Sequence, residues 1–252
     1  MTGIRSLPVV SIITVCYNAE KYIAHTIESV LSQTYPNIEY IIVDGASKDK
    51  TLEVVAPYRN RIAKLVSEKD KGLYDAMNKG IQLATGEYLL FLNADDTLAD
   101  NDVLTRMLAT CADADVYYGE AMFVDEAGHD LGLRSEQTPH KVPEQLNWKS
   151  LQQGMVVSHQ AFIVRRSISP LYDLRYKVAA DIDWMISALK ASQRICNTHL
   201  VVAKFRTGGT SKQRQRLAWK ERYNILGRHY GHVSNFCSHL YIAVRYIFSK
   251  KY

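Results

Sequence analysis

The stretch Gly86-Glu87-Tyr88-Leu89-Leu90-Phe91-Leu92-Asn93-Ala94-Asp95-Asp96 decides the fold. Its apolar run is too short to span a bilayer, is rich in leucine and aromatics, and follows a glycine. It reads as a strand buried on both faces. Two adjacent carboxylates stand where that strand ends. Their oxygens suit Mg²⁺ or Mn²⁺, which usually share their coordination shell with substrate phosphates; Asp95 or Asp96 could equally cap the helix expected from about Asp100.

Upstream, residues 9–15 read as a first buried strand and 16–20 as the turn leaving it. Ile23, Ile27, Val30 and Leu31 recur at helical spacing before Pro36. Residues 38–44 form a second strand ending on Asp44, and the loop 45–51 opens a helix near Asp49 or Lys50. Residues 62–67 give a weaker third strand, then a charged loop, 68–72. In the next helix Leu73, Ala76, Met77, Gly80, Ile81 and Ala84 share one face; Asp75, Asn78, Lys79 and Gln82 share another. Strands alternating with helices predict an α/β fold with a doubly wound sheet, whose ligand crevice lies outside the carboxyl ends of the strands. Tyr17, Asp44 and Asp95-Asp96 occupy such ends. Neither GxGxxG nor GxxxxGK[ST] is present, which argues against a dinucleotide or P-loop site.

Downstream, a helix over 103–112 precedes strands at 116–119 and 122–125. A turn through Gly128 leads to 131–133, which is expected to pair antiparallel with them. A short helix is expected over 143–151, and a loop carrying His159 and Gln160 enters a strand. Ile182, Met185, Ile186 and Leu189 give the apolar face of a helix with Asp181 at its start. Asp181 is either a cap or, if it faces the crevice, a general base. His159 is either structural or a metal ligand. After a strand over 200–205, the loop 207–211 runs into Lys212, Arg214 and Arg216 and could fold over a diphosphate. Tail helices are expected over 213–230 and 235–249, the last either packing on the body or lying in a membrane interface.

The 252 residues, 47% hydrophobic and 23% charged, suffice for one large α/β domain with a helical tail. Cys16, Cys111, Cys196 and Cys237 lie far apart without CxxC spacing. Neither zinc nor a disulfide framework is expected, and a reducing cytoplasm fits. The first eight residues have no apolar core of a secretory signal, and no stretch has the roughly 18 apolar residues of a membrane-spanning helix. Charge is uneven: residues 204–252 hold eleven Lys or Arg and one acid, Glu221, against a net +5 for the whole chain. A basic tail on an acidic body suits an anionic partner: a membrane surface, a diphosphate or nucleic acid.

Five segments in order, Val-Ser-Ile-Ile-Thr-Val-Cys-Tyr-Asn (10–18), Ile-Ile-Val-Asp-Gly-Ala-Ser-Lys-Asp-Lys-Thr (41–51), Asp-Lys-Gly-Leu-Tyr-Asp-Ala-Met-Asn-Lys-Gly (70–80), the opening stretch, and Ala-Ala-Asp-Ile-Asp (179–183), resemble glycosyltransferase family 2 over about residues 8–212. The closest likeness is to the branch that builds bacterial exopolysaccharides such as colanic acid. The resemblance implies an A-type nucleotide-diphospho-sugar transferase fold, a doubly wound mixed sheet with a C-terminal helical tail. The catalytic domain would cover 1–212, with the nucleotide-sugar half over about 8–100 and the acceptor half over 101–212. Residues 213–252 would form a basic amphipathic tail.

It further implies inverting transfer of one sugar. Tyr17, Asn18, Glu20, Asp44, Lys71, Asp75, Asn78, Asn93 and Asp95 would bind the nucleotide sugar. Asp96 with Asp95 would hold Mn²⁺ or Mg²⁺, Asp181 would be the base, and His159, Gln160, Asp183 and Lys212 would face the acceptor or the diphosphate. The implied partners are a nucleotide-diphosphate sugar and a lipid-linked saccharide acceptor, with peripheral contact of the tail on the inner face of the cell membrane. Gly45, Asn93 and Ala180 stand where many members carry acids. The run 213–217 lacks the tryptophan of the processive signature, which favours single transfer over polymerisation. Rival expectations are a nucleotidyltransferase, which would want a glycine-rich phosphate loop at residues 16–18, and a catalytically silent module docked on a membrane assembly. Nucleic-acid binding has only the tail's charge behind it.

Overall fold

The computed structural model describes residues 7–208, 214–236 and 238–240. Nine strands form one mixed sheet: β1 Val10–Cys16, β2 Ile38–Asp44, β3 Lys64–Ser67, β4 Tyr88–Phe91, β5 Thr97–Leu98, β6 Val116–Val124, β7 Asp130–Leu133, β8 Phe162–Arg165 and β9 Ile195–Arg206. The strand order is β3-β2-β1-β4-β8-β6-β9-β5, with β7 beside β6. β1 to β4 run parallel, and β8 is antiparallel to both β4 and β6. The helices are α1 Ile23–Leu31, α2 Thr51–Val55, α3 Leu73–Leu83, α4 Val103–Thr110, α5 Arg134–Gln137, α6 Ala180–Ala191 and α7 Gln215–Tyr230.

Every residue of β1 is buried, as a central strand covered on both faces requires. Its two hydroxyls are satisfied: Ser11 donates to Glu39 at 2.5 Å, and Thr14 accepts from Tyr40 at 3.1 Å. α3 lies against β1 because Gly80 brings the backbones together, and a Cβ there would collide with Ile13. The same parallel register sets Cys16 opposite Asp44 and Asp44 opposite Ser67, so three strand tips end abreast.

Four expectations change. Residues 116–124 are one strand, not two, because the pair's β-bulges at Gly119–Ala121 keep it in register with β9. β9 is longer than residues 200–205 and begins at Ile195. The helical turn expected over 143–151 is a 3₁₀ segment at Trp148–Gln153, capped by Asn147. Cys111 and Cys196 form a disulfide across 85 residues, with Cα atoms 6.3 Å apart. Sequence spacing misses it because the pairing is tertiary: β6 and β9 set Cys196 opposite Tyr117, and Cys111 caps α4 at the start of the segment leading into β6. The cysteine pattern therefore gives no support to a reducing compartment. The tail reaches the body through α7, which buries Ala218, Glu221, Ile225, Leu226 and Gly227. Residues 232–236 and 238–240 are also helical; the rest of the expected second tail helix, and Lys212, lie outside the described residues. No helix among the described residues is long and apolar enough to cross a membrane.

Candidate active site

At the tips of β1 and β2 most polar groups are engaged with one another. Asn18, held at φ 52°, donates its N–H to Ser47 at 2.8 Å, and its side-chain oxygen accepts from the Lys48 N–H at 2.8 Å. Glu20 accepts from the Lys50 N–H at 2.8 Å. These residues fasten the turn after β1 to the loop after β2. Asp44 is fully buried and accepts from the Ser47 N–H at 3.0 Å, the Ser47 hydroxyl and the Ser67 hydroxyl at 2.6 Å. Its carboxylate thus ties the loop after β2 to the end of β3. Tyr17 remains 56% exposed. Its ring and the Asp70 carboxylate close on Gly45, where a Cβ would strike Asp70. Asp70 thus fills the space that an acid at 45 would take. Lys71 is exposed beside it, and its N–H donates to Asp75 at 2.9 Å. Asn78 exchanges two hydrogen bonds with the Tyr172 backbone, at 2.7 and 2.9 Å, and ties α3 to the segment before α6.

The acidic tip after β4 divides its two carboxylates. Asp96 is 1% exposed and accepts from Gln160 at 2.7 Å, Asn93 at 3.2 Å and the Arg206 N–H at 3.0 Å. Burial, and then the neighbouring Asp95 charge, push its pKa up to about 8. It is enclosed rather than presented. Asp95 is half-buried, with its pKa raised by burial. It lines a cavity of about 330 Å³ with Lys21, His25, Lys204 and Arg206. The Arg206 guanidinium lies 4.5 Å from the centre of the Tyr22 ring and reaches the Asp95 carbonyl at 3.3 Å. Asn93 Oδ1 is buried without a partner. The Asp95 carboxylate is a hard donor of the kind a Mg²⁺ or Mn²⁺ ion accepts, so the tip fits such an ion if phosphate or water completes the shell, whereas Asn93 lines a different cavity. No cluster of three His, Cys, Asp or Glu side chains able to hold a metal alone occurs among the described residues.

A second cavity, about 210 Å³, lies behind the tip. Its lining includes Asn93, His159, Gln160, Tyr74, Arg134 and Asp181. Asp181 sits in the first turn of α6 and accepts from the Ile182 N–H at 2.9 Å. Burial raises its pKa, against the pull of that N–H, Arg222 and the Tyr74 hydroxyl. It faces the cavity as well as beginning the helix. His159 stacks on Phe91 at 5.2 Å and meets the Tyr172 hydroxyl at 2.7 Å; burial alone pulls its pKa down to about 4. A neutral, hydrogen-bonded histidine in an aromatic cluster shapes the wall. Asp183 does not join the cavity. It points to α7, where Arg228 and His229 hold it, the latter at 2.6 Å. Glu221 on α7 is buried and accepts from the N–H groups of Lys177, Val178 and Ala179 at 2.8, 2.9 and 3.0 Å, bracing the entry to α6.

The site residues missing from the sequence reading are Tyr74, Arg134, Arg206 and Glu221. Glu221 carried a signal, as the one acid in the basic tail. The others stand at unremarkable spacings.

The family model for glycosyl transferase family 2 matches residues 11–170. A PGL/p-HBAD biosynthesis glycosyltransferase of Mycobacterium bovis (strain BCG / Pasteur 1173P2) is 34% identical over 210 residues, which cover 80% of this chain and 78% of the relative. The S. aureus TarS structure in complex with UDP-GlcNAc shares the fold at a TM-score of 0.70 and 21% identity, over 86% of this chain and 64% of that one. The chain thus spans somewhat under two thirds of that neighbour. The mannosyltransferase PcManGT from Pyrobaculum calidifontis, in complex with GDP-Man and Mn²⁺, matches at a TM-score of 0.61 and 18% identity, over 94% of this chain and 75% of that one. With the α/β sheet of an A-type sugar transferase and a family match over more than half its length, the chain belongs to glycosyl transferase family 2.

Proposed function

We propose that the protein moves one sugar, with inversion, from a nucleotide-diphosphate sugar to a hydroxyl of a lipid-linked oligosaccharide in exopolysaccharide or other cell-surface polysaccharide synthesis. The observation that carries this reading is the shared cavity: Asp181 and Asn93 line the same space. The donor would lie along the strand tips, against Tyr17, Asp70 and Lys71. Asp181 would take the proton of the acceptor hydroxyl as its oxygen bonds to the anomeric carbon from the face opposite the diphosphate. The bond from that carbon to the diphosphate oxygen breaks, and the electron pair leaves with the nucleoside diphosphate. A Mg²⁺ or Mn²⁺ ion held at the tip by the Asp95 carboxylate would offset the charge that develops there. Asp96, enclosed by Gln160, Asn93 and the Arg206 N–H, would hold the tip in shape. The desolvated Asp181 binds its proton more tightly than an ordinary carboxylate, which makes it a better base in its ionised form.

Peripheral membrane contact is the second part of the proposal. Val233, Phe236 and Leu240 share one exposed stripe, while Ser234 and Ser238 meet Gln152 on another face. Trp219 is also exposed, with Arg216 and Lys220 on the same side of α7. Apolar side chains flanked by cations match an anionic bilayer surface.

The test is thermal unfolding with UDP, GDP and dTDP, each with and without Mn²⁺. One nucleotide is expected to raise the melting temperature in a metal-dependent way. Asp181→Asn should keep that shift and lose transfer by at least ~100-fold. Folded protein that responds to none of the three nucleotides overturns the donor assignment, and near-normal turnover of Asp181→Asn overturns the base.

A further inference from the structure

The cavity that Asp181 lines also holds a buried cation. Arg134 lines it and is 8% exposed. Its guanidinium donates to the carbonyls of Met155 and Val156, the latter at 3.1 Å, which fixes the fork against the wall. A guanidinium has five N–H donors, so about three remain. Among the described residues no carboxylate forms an ion pair with Arg134. The charges that act on it are Glu120, which is attractive, and Arg222, which is repulsive.

Arg222 projects from α7 and acts electrostatically on both Arg134 and Asp181. Its Nε is buried without a hydrogen-bond partner. Arg134 meets a cavity whose one acidic lining residue is Asp181, and Arg222, with its orphaned donor, adds a second positive charge within electrostatic range of both. Keeping desolvated cations together is costly unless an anion joins them, and the planar fork of arginine matches phosphoryl oxygens in a bidentate manner.

We propose that Arg134, with Arg222 behind it, forms an anion subsite that receives a phosphoryl group of the substrate next to Asp181. This deepens the function proposed above and rests on its assignment of Asp181. Two sources share the chemistry: the diphosphate of the donor and the diphosphate that links a lipid to the acceptor sugar. The shared cavity favours the acceptor, because Arg134 and Asp181, the base that would meet the acceptor hydroxyl, line the same space.

Calorimetry on the full chain separates the cases. The nucleoside diphosphate that best stabilises the wild type is titrated with Mn²⁺, and geranyl diphosphate is then titrated into the nucleotide-saturated protein. The same series is run on Arg134→Ala, Arg134→Lys and Arg222→Gln, each first shown to be folded by circular dichroism. The expected result is at least a tenfold loss of geranyl diphosphate affinity in Arg134→Ala with nucleotide affinity unchanged. Lysine, which keeps the charge and loses the fork, should recover part of it. A tenfold loss of nucleotide affinity instead keeps the subsite and assigns it to the donor. If Arg134→Ala does not fold, Arg222→Gln is read by the same criteria. Affinities for both ligands within twofold of wild type in a folded variant, or a wild type that ignores geranyl diphosphate together with unchanged nucleotide binding, overturn the subsite. A wild type that binds no nucleoside diphosphate fails the proposed function instead, so the two failures are distinct.

Discussion

Replacing Glu221 by alanine is expected to damage a site on a different helix. The carboxylate is 6% exposed and receives three peptide N–H groups, from Lys177, Val178 and Ala179, at 2.8 to 3.0 Å. Those peptides lie immediately before α6, whose first turn carries Asp181. A hydrogen bond to a charged group contributes roughly 1.5 to 3 kcal/mol, and three bonds on one carboxylate do not add in full. Water entering the gap recovers some of the loss, which leaves a net cost of about 3 to 5 kcal/mol against the ~5 to 15 kcal/mol of a typical domain. At this chain length about 1 kcal/mol moves the melting temperature by roughly 2 to 4 °C, so a fall of about 6 to 20 °C follows. Glutamine keeps one acceptor oxygen and should lose about half as much. Thermal unfolding followed by circular dichroism measures the stability. Nucleotide binding and sugar transfer, measured well below the new melting temperature, read the site. Binding should persist while transfer falls at least tenfold, because the donor pocket does not use α6. A melting temperature within about 2 °C of wild type would refute the bracing role, and full turnover in a destabilised variant would refute its link to Asp181.

Acid should test His159 and a lipid surface should test the tail. The histidine has a folded pKa of about 4 against its ordinary 6.5, so the unfolded chain takes up a proton that the folded one refuses. Stability is therefore lost as the pH falls from about 6.5 to about 4, by roughly 3 kcal/mol from this group, and His159→Gln should flatten the decline in melting temperature over that window. An unchanged slope would remove the histidine from the account. Trp219→Ser with Phe236→Ser should weaken co-sedimentation with phosphatidylglycerol-containing vesicles at least tenfold and leave nucleotide binding intact. Equal sedimentation of variant and wild type would exclude those side chains as the anchor.

The parallel half of the fold was legible because its signals are local. β1, β2 and β4 are short apolar runs closed by polar residues, and α3 shows its apolar face in its own spacing. The antiparallel pairing of β7 with the strand before it was also legible from the turn at Gly128, but the continuity of β6 and the 3₁₀ turn at Trp148 were not, since the bulged pairing of β6 with β9 and that turn depend on what packs against them.

Residue types and order by themselves determined the α/β class, the family resemblance, and the placing of Tyr17, Asp44, Asp95, Asp96 and Asp181 at element ends. A strand or helix terminus is written in the residues that form it. Tertiary structure alone decided what each of those groups does: Asp44 and Asp96 are enclosed by donors from other elements, Asp183 is claimed by α7, and Asp181 faces the cavity. It alone joined Cys111 to Cys196, set Asp70 against Gly45, and brought Glu221 and Arg222 to α6 from beyond residue 213. The physical reason is that a side chain's hydrogen-bond partners, desolvation and neighbouring charges come from whatever segments the packed core brings beside it, and no local pattern records how far away in the chain those segments lie.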